Sequence, residues 1–117
     1  MLQIIPTADM ESRDDKRFDI RVDDQSVGYL SFHHRGYILV IDELTPPVKD
    51  PLHMTPDEFT VMDLTIRALG SYGLNHSCFY AECENPALFT LLGQLRFCEQ
   101  DGIMKSDLKK MLKPCGH

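Results

Sequence analysis

The sequence predicts a single α+β domain in which a mixed, mostly antiparallel sheet is flanked by helices. Three β-type segments follow one another with short turns between them, which is typical of an antiparallel meander. A strongly capped helix comes next, and a further strand and helix follow it, which predicts a parallel strand added to the sheet. With 117 residues, the chain has the length of one domain with one core, so the prediction is a single domain over residues 1–117.

The meander occupies the first third of the chain. Residues 2–5 are apolar enough for a short strand, and residues 17–22 alternate polar and apolar side chains, as a half-buried strand does. Residues 27–33 form the next predicted strand, with a turn at residues 34–36. Residues 37–41 are apolar on both faces, which predicts a central strand covered on both sides.

The first predicted helix begins after Thr55. Thr55 is a good N-cap, Pro56 suits the first helical position, and Glu58 completes a capping box. Gly70 and Gly73 are expected to mark the end of this helix. Apolar residues at helical spacing predict its buried stripe: Phe59, Met62, Ile66 and Leu69.

The last third of the chain alternates short strands and helices. Residues 77–83 are predicted to be a strand parallel to an earlier one, because a helix separates the two. A second helix is expected to follow Asn85, with Pro86 behind the cap. Residues 97–104 are expected to be a short strand or a loop, and Ser106 is expected to cap a small C-terminal helix.

Composition and charge exclude several classes of function. The net charge is −6, with 18 acidic and 12 basic residues, which is unfavourable for non-specific binding to nucleic acid. No apolar run is long enough to cross a membrane, and the first residues lack the pattern of an export signal. The prediction is therefore a cytoplasmic protein whose four cysteines are reduced, with no nucleic-acid or membrane partner.

The order of these elements, together with certain residues, resembles the GNAT-type N-acetyltransferases over about residues 17–100. Asn85 and Phe97 lie twelve residues apart, as the family's Asn and Phe do around the helix between them, and Val27-Gly28 resembles a frequent Val-Gly pair. The resemblance implies an N-terminally trimmed GNAT-like fold. It also implies that acetyl-CoA would bind at Asn85 and at the start of the first helix, at Asp57, Glu58 and Phe59.

The chain departs from the family's pattern at the positions that bind and use the cofactor. The family holds the pyrophosphate of acetyl-CoA on a glycine-rich loop at a helix N-terminus. Residues 50–58 contain no glycine and three carboxylates. Leu92 stands seven residues after Asn85, where many members have a general-acid Tyr, so no catalytic residue is assigned. Arg96 replaces the Gly that precedes the final Phe.

These departures give two hypotheses of function. In the first, the chain is a degenerate, non-catalytic binding or self-associating module that needs no cofactor. An exposed apolar sheet face, left by the missing N-terminal helices, would then be covered in a homodimer. In the alternative, it is an acetyl-CoA-dependent N-acyltransferase with an atypical CoA site.

Other candidate residues each have two interpretations. Asn85 either contacts the pantetheine arm of CoA or only caps its helix. Asp42 and Glu43 either act as a general base for an amine or are a solvated strand end. Cys78 and Cys83 are an odd number of residues apart, which predicts opposite faces of one strand, so they are interpreted as core residues. No metal site is predicted.

Overall fold

The computed structural model describes residues 2–6, 16–45 and 50–111. Its centre is a seven-stranded sheet with the order β1-β2-β3-β4-β5-β7-β6. The strands are β1 (Leu2–Pro6), β2 (Lys16–Val22), β3 (Gln25–Arg35), β4 (Ile38–Thr45), β5 (Tyr80–Cys83), β6 (Cys98–Gln100) and β7 (Ile103–Asp107). The helices are α1 (Pro56–Asn75), α2 (Phe89–Gly93) and α3 (Leu108–Met111), with 3₁₀ turns at Pro51–His53 and Pro86–Leu88.

The sheet is mixed and mostly antiparallel, as the sequence predicts. Strands β4 and β5 are parallel, and every other neighbouring pair is antiparallel. The parallel pair is joined through α1, because a chain that leaves one end of a strand needs a crossover to return in the same direction. The pairing of β4 with β5 runs from Ile38 opposite Tyr80 to Ile41 opposite Cys83.

Helix α1 begins where the sequence predicts and ends later than predicted. Thr55 is its N-cap and Pro56 its first residue. The helix passes Gly70 and Gly73 and continues to Asn75. At Gly73, an added Cβ would lie 2.7 Å from Cδ1 of Leu39 and 2.5 Å from Cδ1 of Leu108. This glycine therefore permits close packing of α1 against β4 and α3, and it is not a helix terminator.

Two strand boundaries also differ from the prediction. Strand β3 continues through His33 and His34 to Arg35, and the turn falls at Gly36, which has φ 62°. Strand β5 starts at Tyr80 and not at residue 77, because residues 76–79 form the turn after α1, in which Ser77 has φ 63°. His34 and Arg35, which were predicted to lie in a turn, are therefore part of β3, because they pair with β4.

The two last predicted caps were partly wrong. Asn85 caps only the 3₁₀ turn Pro86–Leu88, after which α2 follows. Residues 97–104 contain β6 and the start of β7, joined by a turn at Asp101 and Gly102. Asp107 caps α3, since its Oδ1 accepts the Lys109 N–H at 2.9 Å. Ser106 is part of β7 and donates its hydroxyl to the Arg96 carbonyl at 3.0 Å.

The core lies on one face of the sheet, and all three helices contribute to it. The stripe predicted for α1 is confirmed at Met62, Ile66 and Leu69, which are fully buried. Phe59 was a wrong prediction, since it is 41% exposed at the first turn of the helix, beyond the edge of the core. The strands contribute these buried residues: Phe18, Ile20, Leu30, Phe32, Leu39, Ile41, Leu44, Ala81, Cys83 and Met104.

The opposite sheet face, which carries Arg35, Val40, Glu82 and Lys105, is here called the open face. It differs from the predicted exposed apolar face, because most of its side chains are polar or charged and, among the described residues, exposed aromatic side chains lie on it only near Tyr80. Arg35 bridges two carboxylates, with Nη2 2.8 Å from Oε1 of Glu82 and Nη1 3.1 Å from Oε2 of Glu84. Other polar contacts on this face join Arg21 with Asp19, Arg17 with Tyr29, and Tyr29 with Glu43.

In the described parts of the chain, no helix is long and apolar enough to span a membrane.

Candidate functional site

The central feature of the candidate site is a gap between the two parallel strands. Pairing of β4 with β5 stops at Ile41 and Cys83, while β4 continues to Thr45. A β-bulge lies at the same point, because Ser31 pairs with Glu43 and Phe32 with Ile41, which leaves Asp42 as the extra residue. A bulge bends its strand and increases its twist, and because β5 ends at Cys83, residues 42–45 of β4 have no strand partner on this side among the described residues.

The gap opens into a cavity of about 310 Å³ on the open face, here called the cleft cavity. Its floor is the apolar pair Val40 and Ile41. Polar side chains line the rest: His33, Arg35, Asp42, Glu84 and Asn85. The cleft cavity thus combines a small apolar base with a charged rim.

Asn85 is placed at this cavity and also acts as a cap. Its Oδ1 accepts the Ala87 N–H at 3.1 Å, and its backbone carbonyl lies 3.8 Å from Sγ of Cys83. The capping interpretation is therefore satisfied in the structure. Because Oδ1 already accepts this hydrogen bond, it is less available to the pantetheine arm of CoA than the other interpretation of Asn85 requires.

The cleft cavity is surrounded by more carboxylates than cationic groups, and its carboxylates contact His33 or Arg35. Nδ1 of His33 lies 2.9 Å from both carboxylate oxygens of Asp42. Arg35 is shared between Glu82 and Glu84. Asp42 therefore has a cationic or hydrogen-bonding partner of its own within the site.

The start of α1 forms a closed capping box. The Thr55 N–H donates to Oε1 of Glu58 at 2.9 Å, and the Glu58 N–H donates to Oγ1 of Thr55 at 3.1 Å. The Phe59 N–H donates to the Thr55 carbonyl at 2.9 Å, and Pro56 has no N–H. Of the first-turn amides, only that of Asp57 is left for another acceptor.

The segment just before α1 is likewise satisfied internally. The Leu52 N–H donates to Oδ1 of Asp50 at 3.1 Å, and Nδ1 of His53 lies 2.9 Å from Oδ2 of Asp50. The hydrogen bond with His53 and then the one from Leu52 hold the pKa of Asp50 below its ordinary value. This 3₁₀ turn lies against α2, where Leu52 and Phe89 line a shared surface pocket.

The structure does not bring all the sequence-predicted cofactor residues together. Asn85 lines the cleft cavity, whereas Asp57, Glu58 and Phe59 are absent from its lining among the described residues. Leu92, the residue at the general-acid position, is fully buried in the core. Arg96 is held by Asp63, with Nε 3.0 Å from Oδ1. The predicted site is therefore divided between a charged cavity and a self-capped helix.

A polar cluster that no sequence motif indicates lies on the core face of the sheet. Nε2 of His34 lies 2.9 Å from the Tyr72 hydroxyl, and Nδ1 lies 3.6 Å from Sγ of Cys78. The His76 ring stacks on Tyr72 with centroids 4.0 Å apart. No sequence motif marks this cluster, because it depends on the last turn of α1 reaching β3.

Burial disfavours ionisation of Cys78 and Tyr72 in this cluster. Burial raises the pKa of the Cys78 thiol, and burial followed by the neighbouring Cys78 raises the pKa of Tyr72. A protonated, fully buried thiol is a poor nucleophile, so Cys78 is structural. Cys78 and Cys83 belong to the same core cluster, so they were correctly interpreted as core residues. The prediction of opposite faces was wrong because Cys78 precedes β5. The described residues contain no group of three or more metal-ligating side chains suited to an ion.

His34 is expected to make the protein less stable in mild acid. Burial first, and then the charges of His76, Lys16 and His33, lower the pKa of His34 below its ordinary value of 6.5. The neutral form is therefore favoured by folding, so its contribution is complete above pH 6.5 and falls as the pH drops below that value. Urea unfolding at pH 7 and pH 5 should show that the free energy of unfolding falls less with pH in His34→Gln than in the wild type. Equal losses in both proteins would contradict this assignment.

Comparison with known proteins finds similarity in structure only. No protein-family model matches the chain, and no curated protein matches its sequence. Among solved structures, Tetrahymena GCN5 has a TM-score of 0.60 at 10% identity, covering 83% of this chain and 70% of that chain. The aminoglycoside acetyltransferase AAC(6')-Ib, in complex with ribostamycin and coenzyme A, has a TM-score of 0.59 at 11% identity, covering 92% and 73%.

A third solved structure is a complex with a protein segment. It contains the mutant toxin AtaT bound to the C-terminus of the antitoxin AtaR, with a TM-score of 0.57 at 13% identity, covering 88% of this chain and 72% of that chain. These identities carry information about the fold alone. The fold is the GNAT-type acyl-CoA N-acyltransferase fold, as the resemblance in sequence implied.

Proposed function

We propose that this GNAT-type domain works as a non-catalytic binding module and does not use acetyl-CoA. The observation that carries the proposal is the closed capping box at the start of α1. In this fold the pyrophosphate needs several free backbone N–H groups at that helix terminus. Thr55 and Glu58 use theirs within the box, and Pro56 has none. The residues present therefore do not fit the pyrophosphate of CoA.

The charge of the first turn supports the same conclusion. Asp57 and Glu58 place two carboxylates at the N-terminus of α1, where they favour the helix dipole. A pyrophosphate would have to approach these like charges, and displacing Glu58 would break the capping box. At the N-terminus of α1, the helix dipole that favours phosphate binding in other proteins interacts instead with the chain's own carboxylates, Asp57 and Glu58.

The general-acid position supports the absence of catalysis. Leu92 is fully buried in the core and has no proton to give. Asp42, the candidate base, is held by His33 at 2.9 Å. We therefore assign no catalytic residue.

A protein segment is the proposed kind of partner. The open face has no covering helix in the described residues and carries an ordered set of polar side chains. A complex of the GNAT-type fold with a partner's C-terminus, AtaT with AtaR, supports this idea by analogy. The acidic character of the chain argues against nucleic acid, and the free cysteines among the described residues suit a reducing compartment such as the cytoplasm.

The second candidate function is an acetyl-CoA-dependent N-acyltransferase with an atypical site. One observation favours it. The gap between β4 and β5 remains open, with the bulge at Asp42 and a cavity of about 310 Å³. The solved structure of AAC(6')-Ib with coenzyme A has the same fold. In this chain such a function would require CoA to bind without the phosphate-binding turn.

Titration with acetyl-CoA distinguishes the two candidates. We expect no change in melting temperature up to millimolar acetyl-CoA, because the α1 terminus is closed. A ligand at 100 times its Kd would instead add roughly 2.7 kcal/mol to the free energy of unfolding. AAC(6')-Ib serves as the positive control and adenosine 3′,5′-bisphosphate as the nucleotide control. A saturable rise with acetyl-CoA would overturn the non-catalytic proposal.

A further inference from the structure

Two cavities lie side by side along β5 on the open face. The first is the cleft cavity, at the Asn85 end of the strand. The second, here called the Tyr80 cavity, has a volume of about 360 Å³. It is lined by Tyr80, Glu82, Gln100, Lys105, Ser106 and Asp107. The ion pair of Arg35 with Glu82 stands between the two cavities, since each contributes to a different lining.

The cleft end of this surface is acidic. Arg35 is paired with the carboxylates of Glu82 and Glu84, and a third carboxylate, that of Asp42, lies in the same cavity beside His33. The Glu84 side chain is 54% exposed and that of Asp42 39% exposed, so both are accessible to a second cation. A phosphate or an acidic segment would be repelled here, whereas an Arg or Lys side chain would gain charge-assisted hydrogen bonds.

The other end of the surface is aromatic. Tyr80 is 51% exposed at the Tyr80 cavity. Close to it, Tyr37 and Phe79 are 66% and 41% exposed, with ring centroids 5.7 Å apart. Exposed aromatic rings of this kind are enriched at protein interfaces, where they pack against apolar side chains.

We propose that the open face docks an extended, basic segment of a partner protein. This proposal rests on the non-catalytic function proposed above. One Arg or Lys of the segment enters the cleft cavity between Asp42 and Glu84, and an apolar side chain rests on Tyr80. Tyr80 and Glu84 are four residues apart, or about 13 Å along an extended chain. The cation and the apolar residue should therefore lie about four positions apart in the partner.

Selection from a phage-displayed library of random linear heptapeptides tests the proposal on the full chain. We expect the enriched peptides to contain an Arg or Lys and an apolar residue about four positions away. The best peptide is then synthesised with Arg or with citrulline, which has nearly the same shape without the charge. Citrulline should weaken binding by about tenfold, the lower part of the range for a charge-assisted hydrogen bond. Enrichment of acidic peptides or of peptides without a basic residue would overturn the proposal.

Variants locate the binding surface. Glu84→Gln and Asp42→Asn should each weaken the selected Arg peptide by about tenfold. Asp24→Asn is the matched control, because Asp24 lies at the exposed β2–β3 turn with φ 67°, and Asn accepts this conformation. It should leave the affinity within about twofold. Circular dichroism of each variant checks that it is folded, and unchanged affinity in folded Glu84→Gln would overturn the assignment.

The same sample is titrated with acetyl-CoA, so that the two proposals fail separately. Binding of acetyl-CoA would overturn the non-catalytic function. If acetyl-CoA does not bind and the selected peptides lack basic residues, only the proposal of a basic partner segment is overturned.

Discussion

Replacing Phe32 by alanine is expected to lower the free energy of unfolding by about 4 kcal/mol, within the range for a fully buried Phe. Phe32 is completely buried in β3. Its ring packs against Phe18 and Tyr72, with centroids 5.2 Å away in both cases. The substitution removes the ring that joins β2, β3 and α1, and neighbouring rings on rigid elements are unable to fill the space. Urea unfolding followed by circular dichroism measures the change.

The matched control is Phe79→Ala. Phe79 is 41% exposed, so its truncation should cost less than about 1 kcal/mol, as at other surface positions. If the two substitutions had similar effects, the packing of Phe32 between the sheet and α1 would be contradicted. The Phe32 result also bears on the missed polar cluster, because Tyr72 contacts both Phe32 and His34.

Replacing Gly28 by alanine is expected to lower the free energy of unfolding by about 3 kcal/mol, at the upper end for overpacking. An added Cβ at Gly28 would overlap the backbone carbonyl oxygen of Thr45. Because backbone atoms of β4 are unable to move aside as a flexible side chain does, β3 and β4 must separate. Thr45 ends the part of β4 that extends past β5 and includes Asp42, so the geometry of the cleft cavity should change as well.

The control for Gly28 is Gly93→Ala in α2. An added Cβ there would meet only Cε of Met104, at the ordinary contact distance of 3.7 Å. Alanine is the better helix former, so this variant should be as stable as the wild type or slightly more stable. A Gly28→Ala protein as stable as Gly93→Ala would show that the β3–β4 approach is not as close as described. Thermal melts of both variants compare them directly.

Much of the architecture could be predicted from local patterns. The alternation in residues 17–22, the capping box at Thr55 and the crossover between β4 and β5 each depend on neighbouring residues in the sequence. These features gave the mixed sheet and the start of α1 correctly. The Asn85-to-Phe97 spacing, with Val27-Gly28, indicated the GNAT-type fold.

The predicted ends of helices and strands were wrong where tertiary packing outweighed the local preference of the residues. Gly73 looked like a helix end, yet it lies inside α1 because Leu39 and Leu108 need the space. His34 and Arg35 looked like a turn, yet pairing with β4 keeps them in β3. Phe59 matched the helical stripe, but its side chain is 41% exposed and is not part of the core cluster.

The candidate site was predicted in part. Asn85 does lie at the gap between the parallel strands, and the sequence identified the missing glycines and the Leu92 position. The charges of the cleft cavity were not predictable, because Arg35, Asp42 and Glu84 come from three different parts of the chain. Their pairing depends on the register of β3, β4 and β5.

The sequence by itself determined the order of the elements, the α+β class and the closed start of α1, because capping and periodicity act over a few residues. Only the tertiary structure decided what the open sheet face is like. That face was expected to be apolar, but it carries ion pairs over much of its area and aromatic side chains at one end, since side chains distant in sequence meet there only after the strands have aligned. The acidic cleft and the aromatic end of β5, on which the proposed partner depends, are products of that alignment.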